Sequence, residues 1–253
     1  MKQNMLTEER FEKILEIIEK DKTVTVSDLT KLLGASESTV RRDLNELDKK
    51  GQLIKVHGGA MRIDCQYNTK DDDVLTRKAL HMEEKNKIAD YAASLIGEND
   101  FIYLDAGTTV ECMIEAISGK NIIFITNCLG HARKLCEKGF SVYLPGGMLK
   151  TSTDALVGEE AIRGLDKYNF TKGFFGTNGI NLKSGYSTPD IQEALVKQAA
   201  MARCRQSYIL SDPSKFNRIS SVTFGAFEDA TVITTKLEDM AYRDYQNIVE
   251  VSV

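Results

Sequence analysis

No apolar run in the 253-residue chain approaches the roughly 18 residues that a membrane-crossing helix needs. The opening stretch, M-K-Q-N-M-L-T-E-E-R-F, lacks the apolar core of a signal peptide, so a cytoplasmic protein without membrane attachment is expected. The five cysteines (Cys65, Cys112, Cys128, Cys136, Cys204) include no C-x-x-C pair, and the three histidines (His57, His81, His131) are scattered. No Cys/His group has zinc-ligand spacing, so reduced thiols are expected, with no disulfide and no metal site. Neither G-x-x-x-x-G-K-[ST] nor G-x-G-x-x-G occurs, which argues against nucleoside triphosphates and dinucleotides. No cofactor is expected. A Ser/His/Asp or Cys/His arrangement is lacking too, as is a carboxylate pair at an expected reacting centre. Asp105, Asp190 and Glu193 stand as lone acids, and the residues point away from an enzyme.

Excess positive charge is also missing, since the net charge is −4. Its distribution is uneven. Residues 1–62 carry 12 basic and 11 acidic residues, net +1, while 63–253 carry 21 and 26, net −5. Within 41–62 six basic residues face three acidic ones. A local basic patch on an acidic chain suits selective DNA binding.

What is present begins with three short helices. Phe11, Ile14, Leu15 and Ile18 fall at i, i+3, i+4, i+7, predicting a helix over 8–21 with Thr7 as N-cap. Thr23 to Val26 reads as a short strand. Ser27 is expected to cap a second helix ended by Gly34. A third helix starts at the cap Ser36, buries Val40, Leu44 and Leu47, and closes at Gly51. Leu53–Val56 and Ala60–Arg62 read as strands joined at Gly58-Gly59. The whole is a helix-turn-helix with a β-wing.

Arginine can bond guanine twice and asparagine can bond adenine twice, each good pair discriminating by about 1–3 kcal/mol. Arg41 and Asn45 are therefore assigned to bases, and Arg42, Lys49 and Lys50 to phosphates. Lys55 and His57 on the wing are assigned to backbone or minor groove. Ser36, Ser38 and Thr39 complete the candidate DNA-binding face. A protein-interaction module of the same shape is the alternative reading.

A polar span, residues 63–74, reads as a charged linker. Beyond it, helical stretches alternate with short apolar or β-branched runs. Strands are expected at 101–105, 122–126, 140–144, 171–176, 207–211, 222–226 and 231–234. Helices are expected at 80–96, 109–118, 128–138, 155–167 and 189–204. The tail 237–253 ends in another helix–strand pair. Such alternation implies an α/β domain over 75–253 with a mainly parallel sheet.

Asp105-Ala106-Gly107-Thr108-Thr109 follows one strand and opens a helix. Backbone amides at a positive helix end, with two hydroxyls, suit an anion. A capped βα turn is an equal reading of that motif alone. Similar punctuation ends other strands: Thr126-Asn127, Pro145-Gly146-Gly147 and Gly176-Thr177-Asn178-Gly179. Ligands of open α/β sheets bind beyond the carboxyl ends of the strands, so the four groups are expected to converge on one crevice. Lys215 is expected to supply a cation there.

Read in order, the motifs resemble the DeoR family of bacterial transcriptional regulators over essentially the whole chain. They are T-E-E-R-F-E-K-I-L (7–15), S-E-S-T-V-R-R-D-L (36–44), H-G-G-A (57–60), D-A-G-T-T (105–109), T-N (126–127), P-G-G (145–147), G-T-N-G-I (176–180), S-T-P-D (187–190) and D-P-S-K-F (212–216). The resemblance implies a sugar-catabolism repressor that binds operator DNA as a homodimer or homotetramer and is released by a phosphorylated sugar. It also implies a C-terminal domain similar to pentose-phosphate isomerases. Those enzymes carry acids in a G-A-D-E-like loop, whereas the matching Gly176-Thr177-Asn178-Gly179 has none, which implies a sensor rather than a catalyst. Ser187–Asp190 and the Glu193/Lys197 pair look most like the branch responding to fructose 1-phosphate, with lactose-type regulators sensing tagatose 6-phosphate close behind. An isomerase with an appended DNA-binding domain is the rival from another class. An activator with the same effector is a third reading.

Overall fold

The computed structural model describes residues 6–21, 23–56, 58–62, 66–68, 74–242 and 245–252. The chain divides into two compact units, Met1–Cys65 with Leu237–Tyr245, and Gln66–Lys236 with Gln246–Val253.

The first unit contains α1 (Thr7–Asp21), β1 (Thr23–Thr25), α2 (Val26–Leu33), α3 (Glu37–Lys49), β2 (Ile54–Val56) and β3 (Gly59–Met61). Ile14, Ile18, Leu29, Val40, Leu44, Leu47 and Leu53 form its core, all at most 1 % exposed. Burying one such side chain contributes about 1.5–3 kcal/mol, so the apolar stripe of each helix fixes its orientation. The cap of α2 is Thr25, whose Oγ1 accepts from Asp28 N at 3.1 Å, rather than Ser27. Thr25 wins because its backbone is extended just before the first helical residue. The wing is an antiparallel sheet of order β1-β3-β2. Its turn needs Gly58 at φ +80°, and a Cβ on Gly59 would lie 2.2 Å from Val24 O. Those two constraints explain the paired glycines.

The second unit opens with β4 (Gln66–Asn68), α4 (Val74–Ala79) and α5 (Met82–Ser94). Next come β5 (Phe101–Leu104), α6 (Thr108–Ala116), β6 (Ile123–Thr126), α7 (Leu129–Glu137) and β7 (Ser141–Tyr143). A hairpin of β8 (Met148–Lys150) and β9 (Ala155–Val157) leads to α8 (Glu159–Asp166) and β10 (Phe170–Phe175). Then follow β11 (Gly179–Asn181), β12 (Gly185–Thr188), α9 (Ile191–Met201) and β13 (Cys204–Leu210). The unit ends with β14 (Arg218–Ser220), β15 (Val222–Gly225), β16 (Thr231–Thr234) and β17 (Ile248–Glu250).

Seven strands form one sheet of order β17-β16-β13-β10-β5-β6-β7, and every neighbouring pair is parallel. The expected parallel α/β domain is present. Its strands read as apolar runs because helices cover them, burying Ile102, Leu104, Phe124, Phe174, Leu210 and Ile233 with Ile88, Val110, Met113 and Leu135. Strand order reverses between β5 and β10, the place where open α/β sheets leave a crevice.

Three readings are corrected. Residues 155–157, expected to be helical, are β9; pairing with β8 overrides their helix propensity. Val222–Gly225 belongs to a separate antiparallel sheet, β11-β12-β15, not to the main sheet. Within the span read as a linker, Gln66–Asn68 pairs in parallel with β14, so backbone pairing overrides local polarity.

Candidate functional site

The outer face of α3 is the first candidate. Ser36 Oγ accepts from Thr39 N at 3.2 Å and lies 2.9 Å from Ser38 Oγ and 2.8 Å from Thr39 Oγ1. Ser36 is therefore the N-cap that starts the helix. With Val40, Leu44 and Leu47 turned inward, Ser38, Arg41, Arg42, Asn45 and Lys49 are exposed and Thr39 is half-buried. Arg41 meets Glu37 at 3.6 Å and Lys49 meets Glu46 at 3.7 Å, both on the surface. Exposed pairs of this kind are worth little, so phosphates or bases compete for the cations at small cost. Lys55 is exposed on β2, and its amide donates to Asp48 Oδ1 at 3.1 Å, tying the wing to the end of α3. Lys50 sits over the Phe11 ring, 4.9 Å from its centroid. His57 lies outside the described residues.

One polar residue of α3 faces inward. Asp43 is 2 % exposed and accepts from Arg10 Nε at 2.7 Å and Nη2 at 3.0 Å. This two-pronged pair locks α1 against α3. Its only signature in sequence is an acid on the apolar side of the helix.

The second candidate is a cleft of about 180 Å3 at the switch point of the large sheet. Asp105 N donates to Phe174 O at 3.0 Å, and the Asp105 carboxylate accepts from Gly176 N at 2.9 Å and from Lys197 Nζ. Lys197 also donates to Gly176 O at 3.2 Å. These bonds knit β5, β10 and α9 into the floor. Above it α6 begins at Thr108, and its N-cap Gly107 offers no side chain to the first amides. Those amides remain donors at a positive helix end.

Gly107, Thr108, Thr109, Gly176, Asn178 and Lys215 line the cleft as expected, with Asp105 bonded beneath. Arg77, His81, Lys85, Lys197 and Arg218 line it as well, none of which the strand-end motifs revealed. Lys85 is 4 % exposed and donates to Arg77 O. Burial pushes its ammonium below the usual lysine range, with Asp212 opposing. His81 holds a left-handed backbone, φ 55°, at the start of α5. Glu193, 8 % exposed, lines the cleft and accepts from Lys150 Nζ at 2.8 Å and Thr153 Oγ1 at 2.7 Å. Asp190 caps α9 through Glu193 N at 2.9 Å.

The remaining predicted residues do not reach the wall. Thr126 and Asn127 lie buried behind it, where Asn127 Oδ1 accepts from Ala106 N at 3.1 Å and Thr126 Oγ1 accepts from Cys128 N at 3.1 Å. Gly146 and Gly147 follow β7, at the sheet edge and two strands from the switch point. A Cβ on Gly147 would lie 2.6 Å from Val157 O, so that glycine serves packing. Gly179 lies in β11, where a Cβ would meet Arg218 O at 2.5 Å. Convergence thus holds for the two loops flanking the reversal of strand order, because only those strand ends face each other.

The cleft gathers cations and amide donors around one end. Its innermost carboxylate is already satisfied by two donors. Such a constellation suits an anion and has no free acid–base pair at its floor.

The comparisons agree with this division of labour. A family model described as DeoR-like helix-turn-helix domain matches residues 10–66, and one described as DeoR C terminal sensor domain matches residues 80–236. The chain is 43 % identical over 251 residues to an uncharacterized HTH-type transcriptional regulator FruR of Bacillus subtilis (strain 168), covering 98 % of this chain and 99 % of that one. It is 36 % identical over 234 residues to the lactose phosphotransferase system repressor of Staphylococcus aureus (strain NCTC 8325 / PS 47), covering 91 % and 92 %. A ribose 5 phosphate isomerase A from Neisseria gonorrhoeae superposes with a TM-score of 0.40 at 17 % identity, covering 52 % of each chain.

Proposed function

Because the chain belongs to the DeoR family of transcriptional regulators, we propose that it represses sugar-catabolism genes and leaves its operator when a phosphorylated sugar fills the cleft. The observation that carries this reading is the cationic rim, Arg77, Lys85, Lys215 and Arg218, set around the uncapped N-terminus of α6. Phosphate is the biological anion such a rim fits best. Fructose 1-phosphate is the first effector to test, followed by tagatose 6-phosphate. The names of two relatives, FruR and lactose phosphotransferase system repressor, favour that order.

In this reading α3 enters the major groove. Arg41 and Asn45 read bases, while Arg42, Lys49 and Lys55 hold phosphates. A homodimer or homotetramer places two reading helices on paired half-sites. The effector acts only through its preference for the DNA-incompetent arrangement, and a coupling of about 1–3 kcal/mol weakens DNA binding roughly 5–150-fold.

A thermal-shift screen of the full chain against sugar phosphates, followed by gel-shift titration on its own promoter region, tests the proposal. The expected result is one sugar phosphate that raises the melting temperature and lowers operator affinity. No stabilisation by any sugar phosphate, or no preference for the promoter over random duplex, overturns it.

A further inference from the structure

A second cavity, about 60 Å3, adjoins the cleft along the Ala106–Thr108 turn and shares Arg77 with it. Its other walls include Glu111, Cys128, His131, Thr153 and Asp154. The two spaces differ in chemistry. Cations outnumber carboxylates in the cleft, whereas in the small cavity two cations, Arg77 and Lys78, balance two carboxylates, Glu111 and Asp154, beside a hydroxyl and an imidazole.

His131 is the telling group. It is 3 % exposed, and its Nδ1 has no hydrogen-bond partner among the described residues. A ring nitrogen buried without a partner is costly, and native structures rarely keep one without a reason. Burial holds the ring's pKa down at about 4, so it is neutral at physiological pH. The charged groups around it are Glu111, Lys134, Lys78 and Asp154, from three helices and the β8–β9 loop. Glu111 is paired with Lys78 at 2.9 Å and Lys134 at 3.2 Å, and Asp154 accepts from Gly130 N at 2.7 Å.

With its two cations offset by two carboxylates, one of them already paired with Lys78, this cavity holds a phosphate less well than the cleft. A hydroxyl suits every wall: it donates to Asp154, and it donates to or accepts from a neutral imidazole. The volume admits a few water-sized groups, enough for a hydroxymethyl and its neighbour. Thr153 connects the two spaces, because its hydroxyl donates to Glu193 in the cleft.

We propose that this cavity is a subsite for the uncharged polyol end of a phosphorylated sugar, and that it selects ligands by carbon-chain length. The inference rests on the reading of the cleft as a sugar-phosphate site. Phosphate stays with the cations of the cleft. The distal carbons pass the Gly107–Thr108 turn and end against His131.

Isothermal titration of the full-length protein tests it with three ligands: dihydroxyacetone phosphate, fructose 1-phosphate and tagatose 6-phosphate. The triose carries a phosphate and a keto group but lacks the distal carbons. Wild type is expected to bind a hexose phosphate at least about tenfold more tightly than the triose phosphate. His131→Leu removes the ring nitrogen. Gly130→Ala is the second variant and a good helix former; its methyl lies 3.0 Å from Asp154 Oδ2 and 3.9 Å from Cys128 Sγ, at the cavity wall. In each the hexose preference is expected to fall to about onefold, with triose phosphate binding unchanged. A preference retained in whichever of the two variants folds overturns the subsite while leaving the cleft reading intact. Failure of wild type to bind any of the three overturns the subsite, and failure of every sugar phosphate in the thermal-shift screen overturns the cleft reading as well.

Discussion

Lys197 in α9 donates to the Asp105 carboxylate that ends β5, and the two side chains are 5 % and 1 % exposed. The pair is the keystone of the cleft floor, since Gly176 N donates to the same oxygen. It also explains why Asp105 is not a free acid waiting for substrate.

Removing one member of this pair leaves the other buried without its charge partner. Asp105→Leu is expected to destabilise the protein by about 3–5 kcal/mol, measured by urea denaturation. The double variant Asp105→Leu/Lys197→Met is expected to recover a good part of that loss, because no charge is then left unpaired. A double variant no more stable than the single one would mean that the pair is not coupled.

For the reading helix, Arg41→Ala with Arg42→Ala is expected to abolish specific operator binding in gel shifts at fixed salt. Stabilisation by the effector should persist in the same protein. Arg42→Ala alone is expected to weaken binding to all sequences alike and to lower the salt slope by about one. Undiminished operator affinity in the double variant refutes the assignment.

Asp43 carries a different expectation despite following those arginines directly. It faces Arg10 rather than solvent, so Asp43→Ala should destabilise the first unit by about 3 kcal/mol. Amide hydrogen exchange would show the loss in α1 and α3, with the large sheet unaffected.

Legibility in sequence followed the range of the physics. The helices of the first unit could be read because Ile14, Ile18, Val40, Leu44 and Leu47 repeat at the helical period. Asp43 could not, because its partner lies 33 positions away. The parallel sheet was readable from alternating apolar runs. Three-residue strands such as β8, β11 and β14 were not, since so short a segment carries no period and is held by its neighbours. The loops at 105–109 and 176–178 meet at one cleft, as their strand-end motifs suggested, but Gly147 and Gly179 bear glycine for close packing. Arg77, His81 and Lys85 escaped notice because they precede the first strand of the large sheet and join the cleft only in three dimensions.

His131 gives stability a pH dependence. Below its usual value of 6.5 the unfolded chain takes up a proton that the folded chain refuses until about pH 4. The unfolded state binds more protons in that window, so this contribution is complete above pH 6.5 and is lost as pH falls. The loss is at most about 1.4 kcal/mol per pH unit. Urea denaturation at pH 7 and pH 5 should show a smaller pH loss in His131→Leu than in wild type. Equal losses would mean that the ring titrates normally in the fold.

Leu237–Tyr245 groups with the amino-terminal unit although it follows the whole sensor in sequence. During synthesis, therefore, the last segment that packs with the amino-terminal unit leaves the ribosome only after nearly all of the large sheet. Six of the seven strands of the large sheet are thus synthesised before the contacts that complete the amino-terminal unit can form.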